Sequence, residues 1–225
     1  MYRYSNLHSR WVLLIVAISC SLSVQSADDS RKVKITADIG SIIVNHQGVP
    51  VTVERIQDTD NRLADDFTKT SRPCPPFCIH PIIAAQGVRT IGELELLEFL
   101  QHDVANEKGL LIDARMPDWY NSETIPGAVN TPFVIFTEAS PKRDRILQLF
   151  GATADKSGKT DYSRAIRLTL FCNGPWCDQS PRAIKGLISA GYPADKIQYY
   201  RGGMQAWKSF GLTTVLPESN AVDKQ

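Results

Sequence analysis

Short apolar runs alternate with helical patterns through the second half of the chain. Each run ends at a polar or small residue, and its length is typical of a buried strand. The helical patterns between the runs carry apolar residues three and four positions apart. We therefore predict four strands, at residues 110–112, 128–130, 167–171 and 197–200.

Capping residues predict where the helices between these runs begin and end. Thr90 followed three positions later by Glu93 has the spacing of a capping box, so a helix is expected to begin there. Ser180 followed by Pro181 predicts a second helix with Ser180 as its N-cap, and Gly191 is expected to end it. Further helices are predicted at residues 141–150 and 203–210.

Alternation of strands and helices predicts one α/β domain over residues 87–216, with a parallel sheet and helices on both faces. Right-handed crossovers place the carboxyl ends of the strands at one edge of such a sheet, where sites form. A C-terminal tail is expected at 217–225.

Residues 27–86 form a different segment, a small N-terminal strand-containing extension. Strands are predicted at 33–35, 41–44 and 49–53, with a hairpin turn at 46–48, and a short helix at 58–70. The segment is too small to hold itself together well, so we expect it to pack on the following domain.

The first 26 residues have the order of a secretory signal peptide. Arg3 and Arg10 precede an apolar run, and small residues before Ala27 fit cleavage there. An alternative is a lipoprotein signal that leaves Cys20 as an acylated N-terminus. Either interpretation predicts an exported, periplasmic protein with no membrane span in its mature chain.

Composition and charge exclude several classes. Hydrophobic residues make up 43% and charged residues 22%, which is unlike a disordered chain, a collagen-like fibre or a polytopic membrane protein. The chain has 25 Lys and Arg against 24 Asp and Glu, a formal net charge of +1. This balance gives no reason to expect nucleic acid as a partner.

Cys172 has the setting of a reactive thiol. It stands where an apolar strand ends, and a short loop leads from it into a helix. Backbone N–H groups and a helix N-terminus in that position stabilise a thiolate, lower its pKa and make it nucleophilic. The alternative is a buried structural cysteine. The remaining loop residues singled out as candidates are Asn173, Gly174, Pro175, Trp176, Asp178, Gln179 and Ser180.

Four ordered motifs over about residues 87–216 resemble the rhodanese (sulfurtransferase) family. They are 111–115 (Leu-Ile-Asp-Ala-Arg), 125–132 (Ile-Pro-Gly-Ala-Val-Asn-Thr-Pro), Cys172 at the nucleophile position, and 201–207 (Arg-Gly-Gly-Met-Gln-Ala-Trp). The resemblance implies a rhodanese-like parallel sheet flanked by helices. It also implies that Cys172 takes sulfane sulfur from a small donor as a persulfide and passes it to a thiol or other thiophilic acceptor.

The chain departs from the family pattern around the loop. Cys177 stands where the family commonly has a basic residue, and Thr124 replaces a frequent His. Asp178 is expected to oppose thiolate formation and binding of a dianionic donor, unless Arg182 or Lys185 offsets it. Asp178 also occupies the position where a phosphatase relative needs an Arg, so phosphatase activity is not expected.

Cys177 allows a second chemistry, because a resolving thiol can attack a persulfide or sulfenic acid on Cys172. The chain would then be a periplasmic thiol–disulfide redox protein with a redox partner protein. The close spacing is also compatible with a plain structural disulfide between the two. A third hypothesis is a non-catalytic binding module that recognises its partner through the extension.

Cys74 and Cys78 flank Pro-Pro-Phe and form a second close pair. A structural disulfide is the favoured interpretation in an oxidising compartment. The alternatives are a redox shuttle that exchanges with the loop cysteines, and zinc bound with His80. No metal site and no cofactor are expected.

Asp113 and Arg115 follow the first strand of the domain. Their opposite charges and close spacing favour a charge-assisted pair that orients loops over a direct part in the chemistry.

Overall fold

The structure is a computed structural model that describes residues 30–63, 66–154 and 160–217. The predicted signal peptide at 1–26, the lipidation alternative at Cys20 and residues 218–225 of the predicted tail lie outside the described residues. Among the residues described, no helix has both the length and the apolar composition needed to cross a membrane.

A five-stranded parallel sheet forms the centre of the domain, and all four predicted strands are present in it. The strands are β3 (Arg89–Ile91), β4 (Gly109–Asp113), β5 (Ala128–Asn130), β8 (Arg167–Phe171) and β9 (Ile197–Tyr200). Their order across the sheet is β3, β9, β8, β4, β5. The helices are α1 (Glu93–Phe99), α2 (Pro117–Ser122), α3 (Val134–Thr137), α4 (Pro141–Leu149), α5 (Gln179–Ser189) and α6 (Gly203–Ser209).

Alternate residues along the strands face two separate hydrophobic cores, as the period-2 geometry of a strand requires. Leu111 packs with α1 and α6 on one face, whereas its neighbour Ile112 packs with α4 and α5 on the other. Tyr200 and Tyr199 divide in the same way. The prediction of a parallel sheet with helices on both faces is therefore confirmed.

The N-terminal hairpin of β1 (Ser41–His46) and β2 (Val49–Glu54) packs on the α1–α6 face. Ile42, Val44 and Val53 are buried there in the same core as Leu96 of α1 and Trp207 of α6. Because the hairpin's apolar side contributes directly to this core, the extension packs on the domain as expected.

The boundaries of several elements differ from the prediction. Thr90 lies within β3, and the N-cap of α1 is Gly92, whose N–H donates to the Glu95 carboxylate at 3.0 Å. The capping motif is therefore displaced by two residues. The predicted strand at 33–35 is wrong, since these residues form no strand and positions 33 and 35 are bends. Among the described residues of the helix predicted at 58–70, only a 3-10 turn at Asp66–Thr68 is helical.

The polar loop after α4 contains a minimal antiparallel pair, β6 (Thr153–Ala154) with β7 (Thr160–Asp161). The connecting residues 155–159 lie outside the described part of the chain. A π-helical turn at Leu100–Val104 follows α1, and a 3-10 turn at Ala194–Lys196 precedes β9.

Candidate active site

Cys172 lies at the carboxyl end of β8, in the middle of the sheet, where the loop to α5 begins. Its side chain is buried, with 2% of its surface exposed. The Ser180 hydroxyl donates a hydrogen bond to Sγ at 3.0 Å, and the Cys172 thiol donates one to the Cys177 carbonyl oxygen at 3.3 Å. The thiol is therefore surrounded by groups of its own loop and of the first turn of α5.

Hydrogen bonding decides the ionisation of Cys172. Burial by itself would raise the pKa of this thiol, because it penalises the charged form. Hydrogen bonds from the Cys177 thiol, the Ser180 hydroxyl and the backbone N–H groups of Ser180 and Gly174 outweigh burial, so the pKa of Cys172 is lowered. The loop thus stabilises a thiolate, which is the nucleophilic form of cysteine.

Cys177 is the second thiol of the loop and behaves in the opposite way. Burial, the hydrogen bond to Cys172 and the negative charge of Cys172 raise the pKa of Cys177 well above its usual value. Both cysteines are free thiols in this structure. The raised pKa favours the protonated form of Cys177.

The N-terminus of α6 holds the start of the Cys172 loop through two backbone hydrogen bonds. The N–H groups of Met204 and Gln205 donate to the carbonyl oxygens of Cys172 and Asn173, at 3.0 and 2.8 Å. Gly203 permits this approach, since it has φ of +56° and a Cβ there would lie 2.2 Å from the Cys172 carbonyl oxygen.

Asp113 and Arg115 form a fully buried ion pair below the loop. Arg115 donates from Nε to Oδ1 at 2.9 Å and from Nη2 to Oδ2 at 2.6 Å. Its Nη1 donates to Oδ1 of Asn173 at 3.2 Å, and the Thr124 hydroxyl donates to Asp113 at 2.8 Å. The predicted pair is thus present, and it orients the residue that follows Cys172.

The first turn of α5 differs from the prediction. The helix begins at Gln179 with Asp178 as N-cap, so Ser180 is not the cap; its hydroxyl is directed to Cys172 instead. Gln179 Oε1 is buried with no hydrogen-bond partner among the described residues. The Asp178 carboxylate lies 3.8 Å from the Arg182 guanidinium, so Arg182 offsets this charge as the sequence allowed.

The family model of the rhodanese-like domain matches residues 96–210, which is half of the chain. The chain belongs to the rhodanese-like domain family. No curated protein matches the sequence.

The rhodanese-like domain is similar to several solved structures. A protein of Bacillus halodurans is 17% identical, with 54% of this chain and 72% of that chain covered and a TM-score of 0.40. A human single-domain sulfurtransferase is 22% identical over 54% and 96%, with a TM-score of 0.37. A thiosulfate sulfurtransferase of Pseudomonas aeruginosa is 19% identical over 61% of this chain, with a TM-score of 0.41. This chain covers 22% of that enzyme.

The extension contacts the Cys172 loop of the rhodanese-like domain through Trp176. The guanidinium carbon of Arg72 lies 3.8 Å from the centroid of the Trp176 ring, and the Phe77 ring meets it edge-on at 5.7 Å. The His80 N–H donates to the Pro175 carbonyl oxygen at 2.9 Å. The extension therefore covers the outer side of the loop that holds Cys172.

The second cysteine pair of the sequence supports this cover. Cys74 and Cys78 form a disulfide that closes the Pro-Pro-Phe turn and presents Phe77 to Trp176. With both sulfurs in the disulfide, neither is a thiolate available to zinc, so the alternative of a zinc site with His80 is not supported. Among the residues described, no group of three His, Cys, Asp or Glu side chains is placed to hold a metal.

The residues that sequence analysis missed are those that join distant segments. Gln205 accepts from Trp176 Nε1 at 3.3 Å and donates to the Phe67 carbonyl oxygen at 2.8 Å. Arg201 donates to the His80 carbonyl oxygen at 2.8 Å. The closing motif signalled that Gln205 and Arg201 matter, but no local pattern indicates their partners in the extension.

Proposed function

We propose that this protein is a sulfurtransferase in which Cys172 carries sulfane sulfur as a persulfide. The observation that carries the proposal is the hydrogen bonding of Cys172, which has a lowered pKa at the carboxyl end of a central strand. Membership of the rhodanese-like family supports it.

In the first step the Cys172 thiolate attacks the outer sulfur of a donor such as a thiosulfonate, R–SO2–S⁻. A bond forms between Sγ and that sulfur, and the S–S bond of the donor breaks. Its electron pair leaves with the sulfinate, R–SO2⁻, and the enzyme becomes Cys172–S–S⁻. The groups that hold the thiolate, the Ser180 hydroxyl and the N–H of Gly174, lie where they can also stabilise this anion.

In the second step an acceptor thiolate or cyanide attacks the terminal sulfur. The S–S bond breaks, its electrons return to Sγ, and Cys172 is regenerated as the thiolate. Because the leaving group is this same thiolate, a low pKa of Cys172 favours both steps.

Mass spectrometry tests the proposal directly. After incubation with a donor, the peptide that contains Cys172 should gain about 32 Da, the mass of one sulfur, and lose it on addition of reductant. Cys172→Ser should abolish both the adduct and sulfur transfer, whereas Cys177→Ser should keep the adduct. Sulfur transfer that persists in Cys172→Ser would overturn the assignment.

Thiol–disulfide exchange is the second candidate, and the closeness of Cys172 and Cys177 favours it. A Cys177 thiolate that attacks Sγ of the Cys172 persulfide would form an intramolecular disulfide and release hydrosulfide. The raised pKa of Cys177 opposes this step, because little thiolate is present to attack. A loss of two mass units on the loop peptide, sensitive to mild reductant and absent in Cys177→Ser, would support this function.

A non-catalytic role is the third candidate, and it predicts that Cys172→Ala leaves the biological role intact.

Export to the periplasm is proposed on the order of residues 1–26 alone. N-terminal sequencing of the mature protein tests it: a start at Ala27 supports simple cleavage, an acylated Cys20 supports a lipoprotein, and an unprocessed cytoplasmic chain contradicts export.

A further inference from the structure

A cleft of about 280 Å³ lies where α3, α4 and α5 meet, on the face of the sheet that is opposite the N-terminal hairpin. The backbones of α5 and α3 are in direct contact here, since a Cβ added to Gly186 would lie only 2.2 Å from the Phe136 carbonyl oxygen. Both residues line the cleft, and side chains of the three helices line the rest of it. The proposed function assigns no role to this cleft.

Three of the side chains that line the cleft are cationic. Arg143 is in the first turn of α4, whereas Arg182 and Lys185 are three positions apart on α5 and therefore lie on the same side of that helix. No Asp or Glu is among the described residues that line the cleft. The cleft concentrates positive charge in a chain whose formal net charge is only +1, so an anion is the ligand that it favours.

Two acidic side chains outside the cleft contact these cations, but they compensate them only in part. Asp144 lies 3.4 Å from the Arg143 guanidinium, and Asp178 lies 3.8 Å from that of Arg182, which is beyond hydrogen-bond distance. Both carboxylates are exposed to solvent, and ion pairs of this kind are weak. Much of the positive charge is therefore available to a ligand.

The two guanidinium groups are incompletely paired. Arg143 donates to Asp144 over a long 3.4 Å, and its Nε is buried without an acceptor among the described residues. The guanidinium carbon of Arg182 lies 4.4 Å from the centroid of the Phe133 ring. A guanidinium held over a ring keeps its N–H groups for hydrogen bonds in its own plane. Arginine uses such N–H groups in pairs to bind carboxylates and phosphates.

A phosphate group matches this arrangement better than a carboxylate does. It carries more than one negative charge at neutral pH and has three acceptor oxygens, so it can pair with cations that approach from different elements. The small volume of the cleft has room for such a group with a small substituent, because sites for larger organic ligands are usually of 300 to 1,000 Å³, or about that size.

We propose that this cleft binds a phosphate group, either of a small soluble phosphate compound or of a lipid headgroup. Arg143 and Arg182 hold its oxygens from α4 and α5, and Lys185 adds charge. Ser189, which also lines the cleft, supplies a hydroxyl donor. The site uses no sulfur chemistry, so it is independent of the proposed function.

Titration of the full chain with inorganic phosphate, followed by NMR at constant ionic strength, tests the proposal. We expect saturable shifts of the Arg143 and Arg182 side-chain N–H signals and of the Gly186 amide. Arg143→Gln and Lys185→Gln should each weaken binding at least threefold, and the double variant should weaken it further. Arg145→Gln is the matched control, because Arg145 is an exposed cation of the same helix that does not line the cleft.

Three results would overturn the proposal. The first is no saturable shift at tens of millimolar phosphate, and the second is an equal loss of affinity in Arg143→Gln and Arg145→Gln, which would indicate diffuse charge. The third is a set of shifts centred on residues 172–178, which would place the anion in the Cys172 loop. Circular dichroism of each variant establishes that it is folded, and Arg143→Lys, which keeps the charge, should retain part of the affinity.

A second measurement distinguishes the two sources of the phosphate group. The full chain is sedimented with phosphatidylcholine vesicles that contain phosphatidic acid, whose headgroup is a phosphomonoester. Sedimentation that Arg143→Gln reduces and Arg145→Gln does not would support a lipid headgroup. Phosphate binding in solution without sedimentation would support a soluble phosphate compound. Loss of sulfur transfer in Cys172→Ser with unchanged phosphate affinity would show that the two sites are separate.

Discussion

The hydroxyl of Ser180 lies 3.0 Å from Sγ of Cys172 and donates a hydrogen bond to it. Ser180 is in the first turn of α5 and is fully buried, so this hydroxyl has no water to compete for it. Together with the backbone N–H groups of the loop, it compensates a buried thiolate for the loss of solvent.

Ser180→Ala should raise the pKa of Cys172, because it removes a hydrogen bond to a charged group, an interaction that contributes roughly 1.5–3 kcal/mol. The thiolate of the wild type forms at a lower pH than an ordinary thiol, and the variant should need a higher pH. The rate of Cys172 alkylation by iodoacetamide, followed against pH by peptide mass spectrometry, measures the midpoint. Ser189→Ala, at the far end of the same helix, should leave the midpoint unchanged; a shift of equal size there would contradict the assignment.

Gly203→Ala should displace the active-site loop. The added Cβ would lie 2.2 Å from the Cys172 carbonyl oxygen, a distance that real contacts do not reach, and φ of +56° is unfavourable for Ala. We expect at least a tenfold loss of sulfur transfer, measured with a saturating donor. Gly48→Ala is the matched control, since Gly48 also has positive φ but nothing lies within 4 Å of the position that a Cβ would take there. An equal loss in both variants would point to backbone strain alone.

Arg115→Met should lower the free energy of unfolding by about 3–5 kcal/mol, because it leaves the buried Asp113 carboxylate without its partner. Urea denaturation measures this change. Arg167→Met breaks the partly exposed ion pair with Asp103 and should cost only about 0–1 kcal/mol. Similar values for the two variants would contradict the importance of the buried pair.

Reduction of the Cys74–Cys78 disulfide should expose Cys172. The disulfide closes the turn that holds Phe77 against Trp176, and Cys172 is only 2% exposed beneath this loop. We expect alkylation of Cys172 to accelerate severalfold when the disulfide is reduced, as measured on the peptide that contains Cys172. The Cys74→Ser/Cys78→Ser variant should react at the fast rate with or without reductant. If the reductant leaves the rate of Cys172 alkylation in the wild type unchanged, the protection of Cys172 by the extension does not depend on the disulfide.

The central strands of the sheet could be predicted from the sequence because most of their residues are apolar and lie in short stretches between helical patterns. All of β9 is buried, and its neighbour β8 is buried over four of five residues; apart from Gln198 in β9 and Thr169 in β8, these buried residues are apolar. Edge strand β3 has only one buried residue, Ile91, and its residues carry the capping pattern of a helix start. Its position as a strand depends on pairing with β9, more than 100 residues away.

In the candidate site, too, some features could be predicted from local sequence patterns and others depend on tertiary packing. Cys172 could be recognised because a strand end, a short loop and a helix start are local features. Ser180 has the local pattern of an N-cap, since Ser before Pro is typical of one; its actual partner is set by how α5 packs against β8.

Periodicity, capping and spacing are properties of neighbouring residues, and they are sufficient to specify the α/β order of the domain, the position of Cys172 at a strand end and the two close cysteine pairs. Tertiary packing sets one further feature: Arg72, Phe77 and Trp176 form a wall over the site. The contacts of this wall join segments about 100 residues apart. Their geometry depends on how the extension packs on the domain, which no local pattern specifies.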